Sequence, residues 1–169
     1  MDNFPVLLEK LIESTPADLV SFNTDDNIYY ADEVLTEQVF ARILERPKEV
    51  SYRTYVGSNQ QDCPSMEIEG DLLAWDYYDP QMYRHWAYPF SVDGTFYERA
   101  FLLAFLRSLL YHNPVTLESF GVSHARAKHL FAKGLSPKKS TMVALPLNKV
   151  DMFVASNRRG NIDVDYLNS

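Results

Sequence analysis

The order of the hydrophobic patterns along the chain restricts its fold more than any other feature of the sequence. Apolar residues recur at helical spacing over residues 4–12 and again over residues 33–44. Between them lie two short runs of strand formers, residues 18–22 and 28–31, which the turn formers of NTDDN separate. This order predicts a helix, a β-hairpin and a second helix.

Three further segments have the alternation that is typical of strands. They cover residues 50–56, 66–78 and 83–90, and each is rich in Tyr, Val, Ile or Trp. The alternation changes phase at Leu72 and Leu73, where a β-bulge is expected. Together the three segments predict an antiparallel meander.

The pattern becomes helical in the second half of the chain. Residues 95–112 are apolar on nearly every side, which predicts a buried helix or a helix that pairs with another chain. Capping and stop signals predict further helices over residues 123–133, from Ser136 onward and over residues 147–159. Residues 162–167 have the pattern of a last strand.

These patterns predict an α+β protein with three regions. Residues 1–94 would form an acidic domain with an antiparallel sheet and flanking helices, and residues 95–112 a linking and dimerising helix. Residues 113–169 would form a basic, mostly helical module. The chain has 169 residues, of which 46% are hydrophobic, and this suffices for a folded core.

The first region resembles a PAS domain. Residues 7–33, LLEKLIESTPADLVSFNTDDNIYYADE, contain the helix, strand, acidic turn and second strand with which such a domain opens, and the resemblance extends over residues 5–91. Asp32 stands where members of that family commonly have Asn. The resemblance implies a domain that binds a small ligand or dimerises in front of an effector domain. Another α+β sandwich with the same order of elements is the alternative.

Charge is divided unevenly along the chain. Residues 1–90 carry 6 Lys/Arg and 17 Asp/Glu, whereas residues 91–169 carry 10 and 6. No acidic residue lies between Glu118 and Asp151. Such asymmetry is typical of proteins that bind nucleic acid or an acidic partner, and it is also expected where two lobes of opposite charge attract each other.

The stretch without carboxylates resembles helix-turn-helix proteins in two alternative frames. In the first, residues 121–123 form the turn and the helix over residues 123–133 contacts DNA. In the second, AKGLSPKK (residues 132–139) resembles the middle of a LuxR-type DNA-binding domain, although Pro146 stands where that family has a turn glycine. The residues predicted to bind DNA are Ser123, His124, Arg126, Lys128, Lys133, Lys138 and Lys139.

Aromatic residues, 14% of the chain, are concentrated in residues 75–90. On alternating strands about half of them would point inward and form the sheet core. The other interpretation is a cavity for a small apolar ligand. The residues predicted to line it are Trp75, Tyr77, Tyr83, His85, Trp86 and Tyr88.

Catalytic, metal and targeting signals are missing from the sequence. It contains no nucleotide-binding loop or hydrolase motif, and its single cysteine, Cys63, has no base nearby in sequence. His124 and His129 are spaced to lie on different faces of a helix, which disfavours a shared metal ion. The N-terminus lacks a signal-peptide pattern, and the longest apolar run is far too short to span a membrane. The sequence therefore predicts a cytoplasmic protein with no cofactor, no metal ion and no membrane partner.

The leading hypothesis from the sequence is a small cytosolic transcriptional regulator. A ligand-sensing or dimerising domain would precede a helical module that binds DNA, and the helix over residues 95–112 would form a homodimer. The alternative is an acidic inhibitor, such as an immunity protein or an anti-activator, which binds a basic protein partner through residues 1–90 and does not bind DNA. A small-molecule enzyme on an α+β fold is a third candidate.

Overall fold

The structure, a computed structural model, describes residues 3–32, 35–60 and 62–144, in which four α-helices and eight strands are found. The helices are α1 (Phe4–Ser14), α2 (Glu37–Glu45), α3 (Arg99–Arg107) and α4 (Pro114–Lys128). The strands are β1 (Leu19–Phe22), β2 (Asn27–Tyr29), β3 (Val50–Arg53), β4 (Glu67–Glu69), β5 (Leu72–Asp76), β6 (Thr95–Glu98), β7 (Lys133–Pro137) and β8 (Met142–Ala144). A short 3-10 helix, Arg84–Ala87, lies between β5 and β6.

Side-chain caps begin α2, α3 and α4. The Thr36 hydroxyl accepts a hydrogen bond from a backbone N–H in the first turn of α2, and the Glu98 carboxylate accepts two from the first turn of α3. Asn113 and Thr116 form a capping box at α4, with Pro114 at its first position. These caps satisfy N–H groups that have no partner inside the helix.

Six strands form one mixed sheet in the order β1-β6-β3-β7-β5-β4. β3 and β7 run parallel at its centre, with Val50 opposite Lys133, and the other neighbouring strands are antiparallel. β2 and β8 form a separate two-stranded ribbon in which Ile28 lies opposite Val143. Both sheets therefore join strands from the beginning and the end of the described chain.

The alternation of side chains along the strands divides the core between two faces of the large sheet. On one face α2 covers the strands, and Val39 and Ile43 pack in a cluster with Val50 and Tyr52 of β3. Arg53, the next residue of β3, points to the opposite face. The sheet thus separates an aliphatic layer under α2 from a second layer on its other side.

The opposite face carries two aromatic clusters. α1, α3 and α4 enclose the first, in which the ring centroids of Tyr97 and Phe131 lie 5.0 Å apart. Trp75 and Trp86 occupy the second, with centroids 5.1 Å apart in an edge-to-face arrangement. The high aromatic content of the chain is thus largely used in the core of this face.

The predicted α+β class is confirmed, but the sheet is mixed rather than antiparallel, and a helical C-terminal module is not shown. Residues 133–137 form a strand between β3 and β5, and residues 95–98 form a strand beside β3 instead of the first turn of a long helix. The large sheet therefore takes strands from both sides of the boundaries predicted after residues 94 and 112.

A glycine explains how β7 became a central strand although its sequence, KGLSP, has little strand character. A Cβ at Gly134 would lie 2.2 Å from Cε2 of Trp75. Because glycine has no Cβ, the indole packs directly on the backbone of β7. Tertiary packing, rather than local propensity, determines the conformation of this segment.

Several predicted strand pairings are wrong. β1 and β2 do not form a hairpin, because β1 pairs with β6 and β2 with β8. Residues 66–78 form the hairpin β4–β5 instead of one bulged strand, and its two-residue turn begins at Gly70, where φ is +64°. The 3-10 helix interrupts residues 83–90, which are not a strand. The predicted meander is therefore replaced by one hairpin and a loop.

The turn predicted at residues 121–123 is wrong. α4 is continuous through this region, and Gly121 lies buried in its middle. A Cβ at Gly121 would lie 2.3 Å from Cδ1 of Phe90, so this glycine allows close packing and does not make a turn. α4 ends instead at His129, whose φ of 52° lies in the left-handed region.

The helix predicted from Ser136 onward is also wrong, because Ser136 lies in β7. The helix and strand predicted over residues 147–159 and 162–167, and Pro146 of the LuxR-like frame, lie outside the described residues. In the ranges that the structure describes, no helix is long and apolar enough to cross a membrane.

Candidate functional site

A cavity of about 650 Å³ lies beyond the C-terminal ends of the parallel strands β3 and β7. Its lining comes from the β1–β2 turn, the segments that follow β3 and β7, the loop before β6, the start of α4, and β8. We call it the acidic cavity, because the side chains of Asp26, Asp93 and Glu118 line it and no Lys or Arg does so among the described residues.

The three carboxylates reach the acidic cavity from separate parts of the chain. Asp26 lies in the turn between β1 and β2, Asp93 in the turn before β6, and Glu118 near the N-terminus of α4. The Thr24 hydroxyl joins the two turns, since its Oγ1 lies 2.6 Å from Oδ1 of Asp26 and 2.9 Å from Oδ1 of Asp93. The Asn27 amide also donates to Asp93, at 3.4 Å.

The contacts of Thr24 leave one carboxylate oxygen short of a donor. A hydroxyl carries a single hydrogen and donates it to one acceptor at a time. When Thr24 donates to Asp26, the Oδ1 of Asp93 keeps only the longer hydrogen bond from Asn27, and when Thr24 donates to Asp93, the Oδ1 of Asp26 faces a bare hydroxyl oxygen. An additional N–H or O–H donor at this point would satisfy both carboxylates.

The surroundings of Glu118 shift the pKa of its carboxyl group. Its Oε1 accepts hydrogen bonds from the Ser91 hydroxyl at 3.0 Å and from the backbone N–H of Val92 at 3.1 Å. Burial nevertheless raises the pKa of Glu118, and the negative charge of Asp93 adds to the rise, while these hydrogen bonds and the charge of Arg53 oppose it. A cation in the acidic cavity would favour the ionised form.

A hydroxyl and amide network forms another wall. The Tyr30 hydroxyl lies 2.6 Å from Oγ of Ser140, and the Asn59 amide bonds both the hydroxyl and the backbone N–H of Ser140. Gln60 donates through Nε2 to the backbone carbonyl of Tyr55 at 2.7 Å, and its buried Oε1 has no partner in the described part of the chain. This wall therefore offers hydroxyl and amide groups for hydrogen bonding.

A fully buried arginine supports the cavity from below. The exposed fraction of Arg53 is 0%, and its guanidinium lies 4.7 Å from the centroid of the Tyr77 ring. It donates to the Tyr55 hydroxyl at 3.1 Å, to the carbonyl of His85 at 2.8 Å and to the carbonyl of Tyr88. Arg53 thus fixes the two aromatic residues, Tyr55 and His85, that line the cavity.

Tyr55 and His85 are both held in their neutral forms. Burial raises the pKa of Tyr55 to about 12. Desolvation of the His85 ring, whose centroid lies 5.6 Å from that of Tyr55, lowers the pKa of His85, and the charge of Arg53 lowers it further. Neither ring therefore brings a positive or negative charge to this lining at neutral pH.

No protein-family model, curated protein or solved structure matches the chain. The function of the protein is therefore inferred from the geometry of the acidic cavity. No cluster of three or more His, Cys, Asp or Glu that could hold a metal ion lies within residues 3–32, 35–60 and 62–144.

The residues predicted to bind a ligand are only partly brought together. His85 lines the acidic cavity. Trp75, Tyr77 and Trp86 are buried in the second aromatic cluster, as the core interpretation of the sequence expected. Tyr83 is exposed, and Tyr88 contributes its backbone carbonyl to Arg53 rather than its ring to the cavity. The prediction assumed a strand over residues 83–90, and the 3-10 helix turns these side chains in other directions.

The residues predicted to bind DNA lie on α4, on β7 and just beyond β7. Lys133 and Lys138 stand at the start of β7 and just beyond its end, and they pair with Glu69 at 2.8 Å and Asp71 at 3.1 Å. The Arg126 guanidinium donates to the carbonyl of Ala87. Ser123, His124 and Lys128 lie on the C-terminal half of α4, and Lys139 lies at the far end of β7.

The carboxylates of the acidic cavity were not predicted from the sequence. Asp26 and Asp93 belong to the turns NTDDN and SVDG, whose acidic residues are explained by turn formation alone. Glu118 follows Pro114 by about one helical turn and has no distinguishing neighbour. The only signal in the sequence is that both turns contain hydrogen-bond acceptors. This signal predicts a shared site only when it is known that β1 pairs with β6.

Proposed function

We propose that the protein binds a small organic cation in the acidic cavity. The observation that carries the proposal is an excess of hydrogen-bond acceptors over donors at one place. Asp26 and Asp93 share the single hydrogen of Thr24, with Asn27 as a further donor to Asp93 at 3.4 Å, and Oε1 of Gln60 is buried without a partner among the described residues. An ammonium or guanidinium group supplies several donors and the opposite charge.

Charge supports the same ligand class. An ammonium about 4 Å from a carboxylate gains about 1–4 kcal/mol, depending on how far water is excluded. Three carboxylates line the cavity, and the lowered pKa of His85 keeps that imidazole from competing as a cation at neutral pH. An anionic ligand would be repelled from the same position.

Shape and the remaining polar groups indicate the rest of the ligand. A volume of about 650 Å³ is within the usual range for small-molecule sites. The rings of Tyr55 and His85 can face a flat or apolar body, while Tyr30 and Ser140 can bond a hydroxyl at its other end. The ligand is thus a cation with a polar group several bonds away.

The test uses three probes that share a phenol ring and differ in charge. Tyramine carries an ammonium, tyrosol a neutral hydroxyl and 4-hydroxyphenylacetate a carboxylate. Calorimetric titration of the full chain should give an affinity for tyramine at least about tenfold above that for tyrosol, and no binding of the acid. Equal affinities for tyramine and tyrosol, or preference for the acid, would refute the proposal.

A matched pair of variants locates the binding. Glu118→Gln removes a charge from the cavity and keeps an oxygen that can accept from Ser91 and Val92. Glu45→Gln removes an exposed charge at the end of α2, on the other face of the sheet. The first variant should weaken tyramine binding and the second should not. An equal effect of both variants would indicate non-specific attraction.

DNA binding and binding of a basic protein stay predictions from the sequence. A random duplex DNA at two salt concentrations tests the first, because contacts to phosphates weaken as salt rises. The second was predicted through residues 1–90, which contribute Asp26 to the acidic cavity. Tyramine should compete with such a partner where the partner inserts a Lys or Arg side chain into the cavity.

A further inference from the structure

A second concave site lies on the other half of α4, and its charge is opposite. It is a groove of about 340 Å³ between α3, α4 and the segment that joins α2 to β3. Lys48, His124 and Lys128 line it, and no described Asp or Glu does. We call it the basic groove.

The floor of the basic groove is apolar and belongs to the first aromatic cluster. Phe105 is 3% exposed, and its ring centroid lies 5.3 Å from that of the fully buried Phe131. Phe101 also contacts Phe131, at 5.6 Å, and Leu130 packs against the same cluster. Because the floor is anchored in the core, the groove is a formed surface that needs no rearrangement to accept an apolar group.

Its lysines differ from the other basic residues of the segment. Lys133 and Lys138 are neutralised by carboxylates of the β4–β5 hairpin. Lys48 and Lys128 have neither an ion pair nor a side-chain hydrogen bond with any residue of the described ranges, and both line the same groove. Two lysines beside the partly exposed Phe101 and the apolar floor are suited to hold the head of an anion over an apolar body.

We propose that the basic groove binds a small amphipathic anion, with its hydrocarbon part on Phe101 and Phe105 and its carboxylate between Lys48 and Lys128. His124 and Ser108 lie at the same rim, with Oγ of Ser108 3.4 Å from Nε2 of His124, and supply further hydrogen-bonding groups. The proposal is independent of the acidic cavity, because the groove shares none of the cavity's lining residues.

Three probes with an eight-carbon chain test the proposal: octanoate, octan-1-ol and octyltrimethylammonium. Calorimetry should detect octanoate binding that is at least about tenfold tighter than binding of the alcohol, and none of the cation. Amide chemical shifts from NMR should change on α3 and the C-terminal half of α4. Equal binding of the three probes, or shift changes confined to other parts of the chain, would overturn the proposal.

Variants at exposed positions separate charge from shape. The double variant Lys48→Ala/Lys128→Ala should weaken octanoate binding about tenfold, because both cations are lost. Ala104→Leu fills the groove from an exposed site on α3 and should abolish binding with the lysines intact. Lys139→Ala, an exposed lysine beyond β7, is the matched control and should change nothing. Octanoate binding that survives both groove variants would refute the site.

A competition experiment distinguishes this ligand from DNA. A 12-base-pair duplex that binds the protein, depends on Lys48 and Lys128 and excludes octanoate binding altogether would replace the proposal with the DNA-binding prediction. Octanoate binding that persists at high salt, where the duplex dissociates, supports the groove as a small-anion site.

Discussion

The acidic cavity and the basic groove lie against the two halves of one helix, and they are built on opposite plans. Glu118 in the N-terminal half of α4 faces the cavity, whose lining residues Tyr55 and His85 are held from below by the buried Arg53. Lys128 at its C-terminal end faces the groove, whose floor is aromatic. One site surrounds a ligand with acceptors, and the other holds charge at the rim of a hydrophobic surface.

The net charge of a chain segment does not predict the charge of the site to which its residues contribute. The acidic cavity takes Asp93 and Glu118 from the half of the sequence that is basic, and the basic groove takes Lys48 from the half that is acidic. The lysines that make the segment after Glu118 look cationic are partly neutralised by the β4–β5 hairpin. Local charge at a site depends on which loops the sheet brings together.

Replacement of Arg53 should cause the largest difference between ligand binding in the acidic cavity and ligand binding in the basic groove. Arg53→Met leaves the carbonyls of His85 and Tyr88 without their donor, so we expect the free energy of unfolding to fall by about 3 kcal/mol. Urea denaturation measures this. In the folded fraction tyramine binding should be lost while octanoate binding stays within about twofold. Loss of both, or of neither, would contradict the assignment of Arg53 to the cavity alone.

Gly121 lies between the two sites, and its replacement tests the packing of α4 as a whole. Gly121→Ala places a Cβ against the Phe90 ring and should cost about 2 kcal/mol of stability, although alanine is the better helix former. In a Phe90→Leu background the cost should be smaller, because the ring edge is gone. Thermal or urea unfolding of the four proteins gives this coupling, and an unchanged cost would refute the packing explanation.

Removing one carboxylate should affect the cavity and spare the groove. Asp93→Asn keeps an oxygen that can accept from Thr24 and removes the charge, so tyramine affinity should fall about tenfold. Octanoate affinity should not change. Calorimetry with both probes measures the two effects on one sample, and a parallel fall in both affinities would mean that the sites are not separate.

The smallest expected difference between the two sites is in their dependence on pH. It arises from the ionisation of Glu118. The groups that face it are Asp93, Arg53 and Tyr88. Because its pKa is raised in the folded protein, the native state binds its proton more tightly than the unfolded chain. Its contribution to stability therefore falls as pH rises from the ordinary carboxyl pKa through the raised one.

Tyramine affinity should change in the opposite direction, because the ligand favours the ionised carboxylate. It should increase severalfold as pH rises through the raised pKa of Glu118, with proton release on binding below that pKa. Titration in two buffers with different ionisation enthalpies detects the released proton. Glu118→Gln should flatten the profile.

The sequence predicted those elements whose conformation is local. α1 and α2 follow from apolar spacing, and β1 and β3 from strand-forming residues. β7 could not be predicted, because KGLSP is a strand only where Trp75 packs on Gly134. β6 was missed because TFYE runs directly into α3 without a turn residue.

The candidate sites were harder to predict than the elements. Thr24, Asp93 and Glu118 meet only when β1 pairs with β6 and α4 packs on the same face of the sheet. Lys48 and Lys128 likewise meet through the parallel pairing of β3 with β7. No periodicity within one segment contains such information, since it resides in the order of the strands.

The central pairing of Val50 with Lys133 has a consequence for how the chain is made. During synthesis β3 leaves the ribosome long before its partner, and its edge must wait unpaired until β7 emerges. A sheet completed by such distant segments is expected to form slowly, and only after β7 has been translated. For the same reason two fragments cut near residue 94 should not fold alone, but they should reassemble with each other when mixed.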